Sequence, residues 1–403
     1  MTKTFVVVGG GHAGGQAVDS LRREGFDGRL VLVGEEPCLP YHRPPLSKKF
    51  LAGELVQDRL YLRHQPFYDQ HSIELRLGTR VTAIDRDGRR LRLADDSELE
   101  YDALLLCLGS RVRRLNVPGA DLPGLYYLRS LQDVAQIREH LAPGRRLIVI
   151  GAGYIGLEAA ATARSLGLEV TVLEMADRPM SRVVAPVVSE FYARRHVAAG
   201  VDLRCRTGVS EVLGTERVEG VRCSDGSIVP ADLVIAGVGI LPETTLAAAA
   251  GLACDDGIVV DEQCRTHDPA VFAAGDCTNH PSVRYGRRLR LESVDNALEQ
   301  ARTAAATMCG RDAVHAHVPW FWSDQYDIKL QIAGIAAGHD QTVLRGDPDS
   351  NQFSVWYLRG GELLAVDAIN RPGEFMHAKR WIGEHKHPDP ALLGDTAVEL
   401  KMI

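Results

Sequence analysis

The sequence predicts an α/β chain built on two strand–turn–helix–strand units of one plan, followed by a smaller α+β domain. Three observations predict it. Phe5-Val6-Val7-Val8 is a short apolar run that meets Gly9-Gly10-Gly11-His12-Ala13-Gly14-Gly15, and apolar residues then recur at Ala17, Val18 and Leu21, the spacing of a helix. The same order returns at Leu147-Ile148-Val149-Ile150, Gly151-Ala152-Gly153-Tyr154-Ile155-Gly156 and a second helical stretch. After Pro319 the apolar residues alternate in short runs, as strands do: Lys329 to Ile332, Phe353 to Leu358 and Leu363 to Ala368, with a helix near Glu374 to Ile382.

In the first unit a second apolar run, Leu30 to Val33, ends in Gly34-Glu35. Gly9, Gly11 and Gly14 make G-x-G-x-x-G, with His12 and Ala13 inside the turn. The first glycine turns the chain, the second lets a pyrophosphate approach the backbone, and the third lets helix pack on strand. The helix that follows presents free N–H groups and the positive end of its dipole to phosphates. Glu35 stands about 20 residues further on, where a carboxylate binds the hydroxyls of an adenosine ribose. In the second unit Gly151, Gly153 and Gly156 enclose Tyr154 and Ile155, and the run Val170 to Leu173 ends in Glu174. One such spacing is weak evidence. Two, each flanked by a strand and a helix, predict two Rossmann-like dinucleotide sites. Glu174 would repel a 2′-phosphate, and no arginine immediately follows it, although Arg178 is near; this favours NADH over NADPH at the second site.

At 403 residues the chain is too long for one simple core. A net charge of -7 argues against a general nucleic-acid binder. No apolar run approaches the roughly 18 residues that span a membrane. The first strand starts so early that a signal peptide has no room, which makes the cytoplasm the expected location. The eight cysteines contain no C-x-x-C pair, so the expectation is buried free thiols. His315 and His317 alternate, as do His385 and His387, with no further ligands nearby in sequence, and no metal is expected.

Between the first unit and the next sheet strands lies Pro37-Cys38-Leu39-Pro40-Tyr41-His42-Arg43-Pro44-Pro45-Leu46-Ser47-Lys48. Its prolines restrict the backbone ahead of an expected helix. Arg43 and Lys48 are either solvated or held against an anionic or redox-active ligand. Tyr41 to Lys48 resembles the Y-x-R-P-P-L-S-K stretch of the FAD-dependent, NADH-dependent ferredoxin reductases, which serve cytochrome P450 and aromatic-ring dioxygenase systems. Tyr101 to Gly109 is similar to the family strand that ends in A-T-G, but Cys107-Leu108 replaces Ala-Thr and a threonine hydroxyl is lost. Leu128-Arg129-Ser130, Val271 to Asp276 and Arg290 to Ala297 also resemble family segments, while Glu243 and His267 depart from them.

The resemblance implies a glutathione-reductase-like architecture: an FAD domain of residues 1–110 and 237–319, an NAD domain of 111–236 and a C-terminal α+β domain of 320–403. FAD would be held by Gly9, Gly11, His12, Ala13, Gly14, Glu35, Arg43, Lys48, Val81, Gly109, Arg129, Gly275, Asp276, Val294 and Trp322, and NADH by Gly151, Gly153, Tyr154, Ile155, Gly156, Glu158, Glu174 and Gly239. Trp320 is read equally as core. Lys48 and Glu158 would form the catalytic pair beside the flavin N5; alternatively, Glu158 is an ordinary carboxylate near a helix N-terminus. The implied activity moves hydride from NADH to FAD and single electrons from FAD to a [2Fe-2S] ferredoxin. Such ferredoxins are acidic, and Arg63, Arg302 and Lys329 are the first candidates to dock one, with Arg284, Arg287, Arg288 and Arg290 as a second group. Two other readings stay open: an NADH oxidase or disulfide reductase using Cys38, and an NADH-switched binding protein of the apoptosis-inducing-factor kind.

Overall fold

The computed structural model describes residues 2–403, which divide into two compact units. The first comprises Met1–His42, Gln57–Arg111 and Ile240–His317. Its centre is a five-stranded sheet in the order Val271–Ala273, Ala103–Leu106, Thr4–Val8, Arg29–Val33, Ile73–Arg76. All pairs are parallel, with Val6 opposite both Val31 and Leu104. The run at residues 5–8 is apolar throughout because both faces of this sheet are covered. Phe5 and Val7 pack with the helices His12–Arg23 and Val294–Met308, whereas Val6 and Val8 pack with Val81, Ile84, Leu91 and Leu99 of a three-stranded antiparallel sheet.

The second unit comprises Arg43–Val56, Val112–Gly239 and Val318–Ile403. It repeats the plan. A five-stranded parallel sheet runs Asp202–Arg204, Glu169–Leu173, Arg146–Ile150, Leu233–Ala236, Leu125–Tyr127, and Ile148 and Ile150 pack on Val212, Val221 and Val229 of another three-stranded antiparallel sheet. The same unit carries a five-stranded antiparallel sheet, Trp320–Gln325, Ile328–Gly334, Glu362–Ile369, Gln352–Arg359, Gln341–Asp347. The helix Pro372–Gly383 packs Phe375, Ala378, Trp381 and Ile382 with Trp356 and Val366 of that sheet.

Residues 43–56 therefore lie with the second unit, apart from the remainder of 1–110. The helix expected after the prolines is a single 3₁₀ turn, Pro44–Ser47. Pro44 and Pro45 stand at the first two helical positions, where a missing N–H costs nothing, and the turn ends because Lys48 leaves the helical region at φ -127, ψ -119. Among the described residues no helix is long and apolar enough to cross a membrane.

Candidate functional site

In the first unit, Gly9 has φ +118, and a Cβ added there would stand 2.1 Å from the Cys107 carbonyl oxygen. A Cβ on Gly14 would stand 1.8 Å from the Gly9 oxygen. Both positions accept only glycine. Gly11 differs. It caps the helix His12–Arg23 in an extended conformation, offers no side-chain cap, and a Cβ there would meet nothing within 4 Å. The uncapped helix end thus faces open space that suits a pyrophosphate. His12 and Ala13, both buried, open the helix. Gly275 lies against it, since its Cβ would approach that of Ala13 to 3.3 Å. Its N–H donates to Gln300 Oε1 at 2.7 Å, and Asp276 next to it accepts from Ser110 Oγ at 2.9 Å. Val294 opens the neighbouring helix behind the Ser293 cap. Gly109 has φ +67. Cys107 turns its side chain into the core, where burial pushes the thiol well up. Val81 is core, and Glu35 is 73% exposed with Arg80 Nε 3.9 Å away.

The second turn has the same geometry. A Cβ on Gly151 would stand 2.5 Å from the Gly237 oxygen and one on Gly156 2.1 Å from the Gly151 oxygen, while Gly153, the uncapped N-cap of Tyr154–Ser165, faces open space. Gly239, at φ +100, also faces open space. Ile155 is exposed, and the Tyr154 hydroxyl is buried without a partner. Glu174 is anchored at both oxygens, by Ala152 N at 2.7 Å and Ala176 N at 2.8 Å. Arg178 turns inward to Ser181 O, Val184 O and Ser189 Oγ, so its guanidinium is engaged within the fold.

Glu158 is the fifth residue of the helix Tyr154–Ser165, and its side chain is 2% exposed. Lys48 Nζ and Ser47 Oγ each lie 2.6 Å from Oε2, and Ser323 Oγ lies 2.6 Å from Oε1. A dipole effect fades beyond the first turn, and donors from two other segments account for this carboxylate instead. Buried charge persists only when paired and hydrogen-bonded, and Glu158 is both. Lys48 also donates to Pro44 O at 3.3 Å, and Arg43 Nη1 donates to Arg129 O at 2.8 Å, which ties the two arginine segments together. Trp322 precedes Ser323 on the strand and stacks on Trp320, which meets Phe375 edge-on at the margin of the antiparallel-sheet core. Ser47 and Ser323 were not expected as site residues. The available signal was strand alternation, which sends Ser323 to the face opposite Trp322.

All eight cysteines are free; Cys38 lies in an irregular segment and not at a helix start, and burial pushes the Cys277 thiol up to about 12. Among the described residues no cluster of His, Cys, Asp and Glu is placed to hold a metal. Of the candidate docking cations, Arg63 pairs with Asp19 at 3.1 Å and Arg302 with Glu299, each keeping nearly half its side chain exposed. Lys329 is exposed. In the second group, Arg288 donates to Val260 O and Asn279, and Arg290 is held by Asp256 and Glu292, so these two serve the fold.

The chain matches the pyridine nucleotide-disulphide oxidoreductase family over residues 3–301 and the reductase C-terminal family over 320–403. It is 46% identical to putidaredoxin reductase CamA of Pseudomonas putida, covering 99% of this chain and 96% of that one, and 44% identical to rhodocoxin reductase of Rhodococcus erythropolis, covering 99% and 94%. Among solved structures, the ferredoxin reductase for the CYP199A2 system from Rhodopseudomonas palustris superposes with a TM-score of 0.97 at 42% identity, covering 99% of each chain. The reductase in a covalent putidaredoxin reductase–putidaredoxin complex gives 0.96 at 46% identity, covering 99% and 97%. With two uncapped glycine turns and likeness over nearly its full length, the chain belongs to the pyridine nucleotide-disulphide oxidoreductase family, among its ferredoxin reductases.

Proposed function

We propose that this chain oxidises NADH with a resident FAD and reduces a [2Fe-2S] ferredoxin that feeds a cytochrome P450 or a ring-hydroxylating dioxygenase, in the cytoplasm. The balance is NADH and two oxidised ferredoxins giving NAD⁺, one proton and two reduced ferredoxins. The carrying observation is the pair of turns whose middle glycines, Gly11 and Gly153, open onto space before uncapped helix ends. FAD, when bound, accepts electrons as a pair and gives them up singly. The residues of 1–110 and 237–319 would hold it, and 111–236 would hold NADH.

The protein's own part is binding, orientation and charge. Gly153 admits the NADH pyrophosphate, and the anchored Glu174 meets the adenosine ribose. With Arg178 engaged elsewhere, a 2′-phosphate would face Glu174 without a compensating cation. Lys48 Nζ brings a positive charge to the hydride-transfer site, and Glu158 fixes where that charge points. The exposed Arg63, Arg302 and Lys329 would steer an acidic ferredoxin, acting mainly on encounter and orientation.

Anaerobic stopped-flow mixing with NADH should bleach the flavin absorbance, and steady turnover should depend on added ferredoxin. R63E and R302E should raise the ferredoxin KM and flatten its salt dependence while ferricyanide reduction stays near wild type. A flavin that NADH does not bleach, or that NADPH bleaches as fast, would overturn this reading.

A further inference from the structure

Glu158 Oε2 is shared by Lys48 and Ser47, whereas Oε1 is reached by Ser323. Behind Ser323 the hydrogen bonds continue. Gln325 Nε2 lies 3.2 Å from Ser323 Oγ, His196 Nε2 lies 2.9 Å from Gln325 Oε1, and Tyr326 OH lies 3.1 Å from His196 Nδ1. Ser323, Gln325 and His196 are each at most 1% exposed. Ser323 and Gln325 share one face of the strand Trp320–Gln325, and His196 comes from the helix Pro186–Ala198.

One proton arrangement satisfies every link. The carboxylate only accepts, so the Ser323 hydroxyl gives its proton to Glu158 and accepts from the Gln325 amide. The Gln325 carbonyl then accepts, which puts the single ring proton of His196 on Nε2 and leaves Nδ1 to accept from Tyr326. Burial holds His196 below the ordinary imidazole range, in keeping with a ring that carries one proton. Each donor points toward Oε1, and aligned hydrogen bonds polarise one another.

We propose that Ser323, Gln325 and His196 are positioning residues that hold Glu158, and through it Lys48 Nζ, in one orientation for hydride transfer. This rests on the role given to Lys48 and Glu158 above. Loss of the Ser323 hydroxyl frees Oε1 to turn, and the Lys48 ammonium turns with it.

The test uses the holoprotein and the rate constant of flavin bleaching at saturating NADH. S323A should lower it about tenfold, S323T should stay near wild type, and in an E158Q background S323A should add little. Q325M keeps the length of the side chain but removes the amide donor behind Ser323; it should slow bleaching in the same direction as S323A, and by less. A second readout needs no NADH. With glutamate ¹³C-labelled at the carboxyl, the resonance missing from E158Q reports Glu158, and its chemical shift at fixed pH should move in S323A, which removes the Oε1 donor, and return in S323T. Wild-type bleaching in S323A and Q325M with an unmoved Glu158 resonance would overturn the proposal, as would equal S323A effects with and without Glu158. If the wild type is not bleached by NADH, the proposed function fails, while the carboxyl resonance still decides whether Ser323 positions Glu158.

Discussion

The two glycine turns are nearly the same object, and the acids that go with them are not. In each, the outer glycines are jammed against backbone oxygens and the middle one is open. Yet Glu35 stands in solvent, whereas Glu174 is pinned by two backbone N–H groups. The matching helix positions differ too. Gln16 bonds Ser20 on its own helix, whereas Glu158 reaches out to Ser47, Lys48 and Ser323. A resident FAD needs its site ordered once. An NADH that leaves every cycle gains from a site ordered beforehand, because each immobilised side chain otherwise weakens binding by about 0.5–1.5 kcal/mol. The anchored Glu174 and Glu158 of the second turn, against the solvent-exposed Glu35 and the locally bonded Gln16 of the first, fit that division.

The largest effects separate the two kinds of glycine. G14A and G156A put a Cβ inside a backbone carbonyl, and each should lose more than about 3 kcal/mol, measured by chemical denaturation, or fail to fold. G11V and G153V point into open space and should fold. G11V should be colourless, and G153V yellow but not bleached by NADH. A yellow G11V would show that the first turn does not hold the flavin.

The next effect falls on the outward-reaching carboxylate. K48A and E158A should each slow flavin reduction by about 10- to 100-fold, and the double variant should cost less than the product of the two. Strictly multiplicative effects at full flavin content would leave the pair with no joint role. Selectivity comes third. E174Q keeps one oxygen for the backbone N–H groups and removes the charge, and M175R adds a cation at an exposed position. Together they should move the NADPH-to-NADH ratio of kcat/KM by about tenfold. E174A should do less for NADPH and more harm to stability, because it strands two N–H groups at about 1–3 kcal/mol each.

Both turns were legible in the sequence because only glycine tolerates those close approaches, so the spacing itself carries the geometry. The parallel strands were legible as unbroken apolar runs. Other features left weaker marks. The two three-stranded antiparallel sheets are made of strands of three to five residues, too short for alternation to stand out. The 3₁₀ turn at Pro44–Ser47 looked like a helix start because proline favours both. The grouping of residues 43–56 with the second unit, and the partners Ser47 and Ser323 of Glu158, depend on contacts between segments far apart in sequence. Asp367 did leave a mark, a lone carboxylate inside Leu363 to Ile369, where nearly every neighbour is buried and apolar.

That aspartate supports the last prediction. Asp367 is 1% exposed, accepts from the Tyr357 hydroxyl, and Tyr357 in turn accepts from Ala185 N at 2.9 Å. Burial pushes its carboxyl up to about 7, and the Tyr357 hydrogen bond opposes this only in part. The effect reaches the second turn: burial first, then the Asp367 charge, pushes the Tyr154 phenol well up. A carboxyl raised in the folded state stabilises fully below about pH 4, the ordinary aspartate range, and loses that contribution as pH rises through about 7. The span between those two ranges corresponds to at most about 4 kcal/mol. D367N keeps an oxygen for Tyr357 and never ionises. Its melting temperature should therefore sit near wild type at pH 4 and exceed it by about 5 °C at pH 8. Calorimetry at three pH values between them decides the matter. Parallel curves would mean that Asp367 stays ionised throughout, and that the second turn rests on a charge the fold has already accommodated.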